Sequence, residues 1–341
     1  MAKILVTGGL GFIGSHTVVE LQNAGYTVVI IDDLSNATEE TLDRIVSITN
    51  TTPEFEKIDL KVKHLVDDFF KRHADIEGVI HFAAYKSVEE SVREPLMYYQ
   101  NNINSLTYVL DGVSNLKTQN FIFSSSCTVY GQAEKLPIAE DAPVQAAESP
   151  YGNTKQIGEE ILKDLAKADS NFKAISLRYF NPIGAHESAK IGELPIGVPQ
   201  NLVPFITQTA IGIREQLLVF GGDYDTKDGT CIRDYIHVVD IAKAHVIALE
   251  RLLKNKQSEN YEFYNLGTGK GSTVLDVIKS FERVSGTTIN YTIVDKRPGD
   301  VMEVYSGTTK ANNVLGWKAE KTLDEAMLSA WQWEQFLRNN S

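Results

Sequence analysis

The stretch from Lys3 to Asp32 constrains this chain more than any other. Lys3–Thr7 is a short apolar strand that runs directly into Gly8-Gly9-Leu10-Gly11-Phe12-Ile13-Gly14. Ser15 to Ala24 then shows helical spacing, and Thr27 to Ile31 is a second apolar strand closed by Asp32. Strand, glycine turn, helix, strand, acid is the mononucleotide-binding unit of a doubly wound sheet. The glycines let the backbone approach a pyrophosphate, and the helix N-terminus offers unpaired amides and a favourable dipole. Asp32, 18 residues beyond Gly14, is placed to accept from both hydroxyls of an adenosine ribose and to repel a 2′-phosphate. No arginine stands beside it to reverse that preference. The expected cofactor is therefore NAD, not NADP.

The alternation continues along the chain. Further strands are expected at Phe55–Ile58, followed by Asp59, and at Gly78–Ala83, Asn120–Ser124 and Ala174–Tyr179. Helices are expected over Pro95–Asn115 and Tyr151–Ala168. Such alternation gives an α/β fold with a doubly wound parallel sheet of Rossmann type, whose ligands bind outside the carboxyl ends of the strands. By that rule Phe82, Ala83 and Lys86 border the cofactor, as do Ser124, Ser125 and Ser126. After about residue 180 the texture changes to loops rich in Pro and Gly, read as a smaller mixed α/β lobe. The expected division is residues 1–180 for the dinucleotide and 181–341 for the substrate. The apolar helix Val239–Leu253 is expected to draw residues 235–270 back onto the first domain.

Composition narrows the choice of partners. A net charge of −12 argues against nucleic acid or an anionic membrane as a partner, though local arginines can still bind a phosphorylated ligand. The two cysteines, Cys127 and Cys231, form no disulfide framework or metal-ligand spacing, which fits a reducing compartment. The seven histidines show no metal-ligand spacing either, so no metal is expected. The chain begins on a strand instead of a basic leader, and no run approaches the roughly 18 apolar residues of a membrane span. A cytoplasmic protein is expected.

The chemistry is placed at Ser149-Pro150-Tyr151-Gly152-Asn153-Thr154-Lys155. Serine then proline reads as a helix start, with Ser149 as N-cap and Pro150 at the first helical position. Tyr151 and Lys155 are four apart and share a face. A phenol has a reference pKa of about 10, so service as a base near neutrality needs a shift of about 3 units, or about 4 kcal/mol. One positive charge about 4 Å away supplies that at an effective dielectric of about 20. Lys155, with an oxidised nicotinamide as a second cation, is expected to keep the phenolate available.

The glycine turn at Gly8, Gly11 and Gly14, together with Ser126 and the Tyr151/Lys155 pair, resembles the extended short-chain dehydrogenase/reductase family. Within it the chain is similar to the UDP-glucose 4-epimerases over nearly its whole length. The most distinctive pieces are Phe123-Ser124-Ser125-Ser126 through Val129-Tyr130-Gly131, Arg178-Tyr179-Phe180-Asn181-Pro182, and Asp228 through Val238. The resemblance implies C4 epimerisation of a UDP-hexose, UDP-glucose to UDP-galactose, through a 4-keto intermediate with tightly held NAD. It makes Tyr151, Lys155 and Ser126 catalytic. The implied NAD contacts are Gly8, Gly11, Phe12, Ile13, Gly14, Asp32, Asn36, Asp59, Leu60, Phe82, Ala83, Lys86, Asn101, Ser124, Tyr151, Lys155 and Phe180. Substrate contacts are Lys86, Ser126, Tyr151, Asn181, Asn201, Leu202, Phe220, Arg233, Arg297, Asp300 and Val304. Within these, Arg233 and Arg297 suit a diphosphate, Phe220 flanks the uracil, and Asp300 accepts from the uridine ribose. Asp234, Tyr235 and His237 are read as braces for Arg233. The family likeness also implies a homodimer through the helices Pro95–Asn115 and Tyr151–Ala168.

Two departures from the family pattern bear on substrate. Cys127 stands where alanine is usual and is read as a packing residue. Val304 stands where a bulky tyrosine would obstruct an N-acetyl group, so UDP-GlcNAc and UDP-GalNAc are expected to fit as well. A sugar-nucleotide 4,6-dehydratase needs an Asp-Glu acid/base pair where this chain has Cys127 and Thr128. A UDP-glucuronate 4-epimerase or decarboxylase needs contacts for a C6 carboxylate, which the sequence leaves open. A non-catalytic NAD-binding regulator has no need of the tyrosine–lysine pair.

Overall fold

The computed structural model describes residues 2–297 and 300–340. The strands are β1 (Lys3–Thr7), β2 (Thr27–Asp32), β3 (Glu54–Lys57), β4 (Ile76–His81), β5 (Gln119–Ser126), β6 (Phe172–Tyr179), β7 (Asn181–Ile183), β8 (Leu217–Phe220), β9 (Ile232–Arg233), β10 (Tyr235–His237), β11 (Tyr261–Leu266), β12 (Ser272–Thr273), β13 (Tyr291–Val294) and β14 (Glu303–Val304). The helices are α1 (Phe12–Asn23), α2 (Glu40–Thr49), α3 (Lys63–Arg72), α4 (Val88–Arg93), α5 (Pro95–Val113), α6 (Pro150–Ala168), α7 (Leu202–Ala210), α8 (Val238–Leu253), α9 (Val274–Ser285) and α10 (Leu323–Asn339).

Seven strands form one parallel sheet in the order β11-β6-β5-β4-β1-β2-β3. The chain builds outward from β1 to β3, then crosses back to β4. The order therefore reverses between β1 and β4, and the crevice for a dinucleotide opens there, at the carboxyl ends. Side chains alternate across the sheet with a period of two. Ile4 and Val6 enter the core beneath α1 and α8, whereas Leu5 enters the opposite core beneath α3, α5 and α6. All three are fully buried, and each such side chain contributes about 1.5–3 kcal/mol. A separate core joins α7, β8, α9 and α10 through Val203, Ile206, Val219, Phe281 and Met327.

Several boundaries differ from the sequence expectation. The strand expected at Gly78–Ala83 is Ile76–His81, so Phe82 and Ala83 already lie in the loop, where the Phe82 amide donates to the Thr7 carbonyl at 3.0 Å. The strand expected at Asn120–Ser124 runs to Ser126, because Ser125 and Ser126 pair with Arg178 and Tyr179. α1 begins at Phe12, not Ser15, directly after the glycine turn. The strand near Phe55 is Glu54–Lys57. α8 packs against α1, and β11 adds a seventh strand beside β6.

The histidines serve the fold. Burial pushes His16 and His81 down to about 3, and His237 and His245 down to about 4. Each has a fixed partner; His81 Nδ1, for example, lies 2.8 Å from Thr7 Oγ1. The unfolded chain protonates these rings near their ordinary value, so between that value and the depressed ones it binds more protons than the folded chain. Stability is then lost as pH falls through this window, by about 1.4 kcal/mol per ring at one pH unit below about 6.5. Burial raises Glu20, Asp32, Glu140 and Asp240, which works in the opposite sense but with smaller shifts. The melting temperature is expected to fall steadily from pH 6.5 to 5; a flat profile would contradict this account.

Candidate active site

The first turn of α6 and the end of β5 build the reactive centre. Ser149 caps α6, its hydroxyl accepting from the Gly152 amide at 3.1 Å, and Pro150 takes the first turn as expected. Tyr151 thereby faces Ser126, whose hydroxyl is hydrogen-bonded to the phenol. Lys155, almost fully buried, donates to the Ser124 carbonyl at 2.7 Å. Its ammonium lies 5.8 Å from the Tyr151 ring centre and 5.0 Å from that of Phe123. The three residues expected to be catalytic are thus brought together.

Burial dominates their electrostatics. Enclosure raises the Tyr151 phenol to about 12, against the lowering by Ser126. Burial drops Lys155 to about 7, countered in part by Glu159. Desolvation is the largest influence on each, and it disfavours both the phenolate and the ammonium. Next to them, burial pushes the Cys127 thiol up to about 11. With Val304 it packs against Val129, Tyr130, Ile138 and Phe180, as a filler side chain does.

Across the crevice, the glycine turn makes a cradle that fits a dinucleotide. Gly8 has φ +67°, and a Cβ there would stand 2.9 Å from the Ala83 amide nitrogen. A Cβ on Gly14 would stand 2.1 Å from the Gly8 carbonyl oxygen, so only glycine lets α1 start this close to β1. The α1 N-terminus at Gly11 has no side-chain cap and no acid in its first turn, which leaves the amides of Phe12, Ile13 and Gly14 for an anion. Asp32 is buried and accepts from the Leu10 amide at 3.1 Å and the Leu34 amide at 3.0 Å. Each oxygen keeps acceptor capacity for a ribose hydroxyl. Asn36 is exposed in the loop after β2, and Leu60 is buried after β3 beside the half-exposed Asp59.

Asn101, on α5, reaches the same edge: its Oδ1 accepts from Lys61 Nζ at 3.3 Å, and Lys61 pairs with Asp59 at 3.5 Å. Sequence reading missed Lys61, because an isolated lysine after a weak strand carries no motif. Phe82 packs its ring 4.7 Å from that of His245. Phe180 is buried, with its amide on the Leu266 carbonyl.

The remaining residues line the second lobe. Asn181, on β7, donates its amide to the Asp234 carbonyl at 2.9 Å. Asn201 and Leu202 begin α7. Arg233 pairs with Asp300 at 2.7 Å, and Arg297 lies 3.8 Å over the Phe220 ring, on the face expected for a uracil. Pro298 and Gly299 of the same motif lie outside the described residues. Asp234 is fully buried and accepts from Thr268, Gly269 and Ser306, fixing the strand and loops around Arg233. Among the described residues no cluster of His, Cys, Asp and Glu could hold a metal ion.

Residues 5–329 match the family model described as GDP-mannose 4,6 dehydratase. The chain is 48% identical over 337 residues to UDP-glucose 4-epimerase of Drosophila melanogaster, covering 97% of this chain and 96% of that one. It is 49% identical over 331 residues to the Bacillus subtilis enzyme of the same name, again covering 97% and 96%. Among solved structures, UDP-glucose 4-epimerase from Stenotrophomonas maltophila with bound NAD and formylated UDP-arabinopyranose superposes with a TM-score of 0.96 at 43% identity, both chains covered completely. The Bifidobacterium longum enzyme in complex with NAD+ and UDP gives 0.94 at 43% identity, also with complete coverage. Full-length identity at this level, over a sheet whose crevice gathers Ser126, Tyr151 and Lys155 opposite an NAD-type glycine turn, places the chain in the UDP-glucose 4-epimerase family.

Proposed function

We propose that the protein interconverts UDP-glucose and UDP-galactose by inverting C4, with NAD as resident cofactor. The observation that carries this reading is the convergence of Ser126, Tyr151 and Lys155 at one strand end, across from the glycine cradle. Gly8, Gly11, Gly14 and the α1 amides would hold the pyrophosphate of the cofactor, and Asp32 its adenosine ribose. Bound there, oxidised NAD would supply a reversible hydride acceptor for C4 of the sugar and a positive charge. Tyr151 takes the proton from the 4-hydroxyl and gives it back, the role of a general base and then acid. Ser126 hydrogen-bonds the same phenol oxygen and positions it. Lys155 holds a proton one helical turn away and stabilises the phenolate once the oxygen ionises. Arg233 and Arg297 bind the diphosphate and Phe220 the uracil, so the nucleotide is held firmly while the sugar turns over.

The test is incubation of the purified protein with UDP-galactose and no added NAD, followed by separation of the UDP-hexoses. Conversion to UDP-glucose is expected, and none would overturn the reading. Val304 supports a wider substrate range, because it lies in β14 beside Arg233, against the cluster of Val129, Tyr130, Ile138 and Phe180, and is smaller than a tyrosine at that position. UDP-GalNAc is expected to convert as well. Val304→Tyr should lower kcat/KM for the acetamido sugars at least tenfold relative to the plain ones, a ratio measured in parallel assays.

In this reading residues 1–180 serve the cofactor and 181–341 the sugar nucleotide, with α8 and β11 returning to the first domain. A homodimer through α5 and α6 is supported by the apolar residues Val88, Val92, Leu96 and Met97 exposed along α4 and the start of α5. Sedimentation at micromolar concentration should give twice the mass of 37.9 kDa. Free Cys127 and Cys231 fit a cytoplasmic setting.

A further inference from the structure

We propose that Glu193 sets the charge of the sugar subsite and restricts it to neutral hexoses, excluding hexuronates. The inference rests on the UDP-hexose reading above and deepens it. The Glu193 carboxylate accepts from Asn201 Nδ2 at 2.5 Å and pairs with Lys86 Nζ at 3.5 Å. It thus joins a lysine of the β4 loop to the residue that begins α7, two positions read as substrate contacts. Its side chain is 13% exposed while that of the paired Lys86 is 52% exposed, so the carboxylate is the more enclosed member of the pair.

The segment carrying Glu193 is anchored. Trp333 Nε1 donates to the Glu193 carbonyl at 2.8 Å, and a Cβ on Gly192 would stand 2.5 Å from the Trp333 ring. The Ile191 carbonyl accepts from the His186 amide at 3.0 Å, and Ile191 is itself buried. These contacts fix the backbone from which the Glu193 side chain projects.

The charge count follows from the neighbours. Lys86 is offset by Glu193, Arg233 by Asp300, and Arg178 by Glu159. Lys155 is committed to the Ser124 carbonyl. A diphosphate takes Arg297 and competes for Arg233. In the proposed arrangement C6 of the sugar is set against Glu193: a further negative charge there meets the carboxylate and no uncommitted cation among these residues, whereas a 6-hydroxyl donates to it. Replacing the carboxylate by an amide keeps the contact to Asn201 and releases the Lys86 ammonium to receive a uronate.

Calorimetry on NAD-loaded protein tests this with UDP-glucose and UDP-glucuronate as ligands. Wild type should prefer UDP-glucose, and in Glu193→Gln the ratio of the two dissociation constants should shift at least tenfold toward UDP-glucuronate. Adding Lys86→Gln should cancel that gain. A scaffolding role would weaken both ligands alike, and an unchanged ratio overturns the proposal. A wild-type measurement guards against misfolding of the variant: uncharged UDP-glucuronamide should bind at least tenfold tighter than UDP-glucuronate, and equal binding also overturns it. Because these are binding ratios, they are read separately from UDP-galactose turnover, whose absence in wild type would sink the parent reading instead.

Discussion

Tyr151→Phe is expected to lower conversion of UDP-galactose by about a thousandfold, within the range general acid–base groups supply, while NAD stays bound. The substitution removes one oxygen whose side-chain partner is Ser126, so folding stability should change by only about 1 kcal/mol. Turnover and the cofactor absorbance of the same preparation decide the matter: loss of both would indicate a damaged cleft instead of a missing base. The pH profile separates this role from mere positioning. Burial pushes the Tyr151 phenol up to about 12 and Lys155 down to about 7, so positive charge beside the phenol favours its ionised form. Rate should therefore rise with pH until the phenol has ionised in the loaded enzyme. Lys155→Met removes a cation whose ammonium lies 5.8 Å from the Tyr151 ring centre, a separation worth about 3 kcal/mol at an effective dielectric of about 20. That rising limb should then move to higher pH; if it stays in place, Lys155 is not an electrostatic partner of the phenol.

What could be read from the sequence was local. The glycine turn needs Gly8 and Gly14 because backbone meets backbone there, and that need is written in consecutive residues. Ser149-Pro150 states a helix start in two letters, and the cap forms as expected. What could not be read depends on partners far along the chain. β11 reads poorly as a strand because Glu262 and Asn265 interrupt its apolar pattern. Both are buried, Glu262 against Arg251 at 2.7 Å and Asn265 against Tyr130 at 2.7 Å. A pattern of apolar residues has no means of showing that a carboxylate will find a guanidinium. The same holds for Glu193, which belongs to no motif and gains its meaning only from Lys86 and Asn201. Lys155 was placed on the right helix face, but whether its ammonium met the phenol or a carbonyl was settled by the Ser124 backbone, one strand away.

Behind the catalytic pair lies the prediction with the largest effect on stability. Arg178 and Glu159 form a bidentate pair at 2.9 and 2.6 Å with side chains only 2% and 3% exposed. Glu159 also accepts from Ser125 at 2.6 Å, and Arg178 donates to the Tyr130 hydroxyl at 2.8 Å and lies 4.2 Å over the Phe263 ring. Removing one partner of a buried, hydrogen-bonded pair leaves the other charge without compensation, a loss of about 3–5 kcal/mol. Arg178→Met is expected to cost that much in denaturant unfolding. The double variant Glu159→Leu/Arg178→Met should recover most of it, since neither charge is then stranded. A loss below about 1 kcal/mol would mean that water reaches Glu159 and that the pair is no anchor. The pair also acts on chemistry, because Glu159 sits one turn beyond Lys155 on α6 and raises its pKa against burial. In the double variant the lysine loses that support, deprotonates more readily and stabilises the phenolate less. Recovered stability with diminished turnover is therefore the expected combination, and it distinguishes a charge held for catalysis from one held only for the fold.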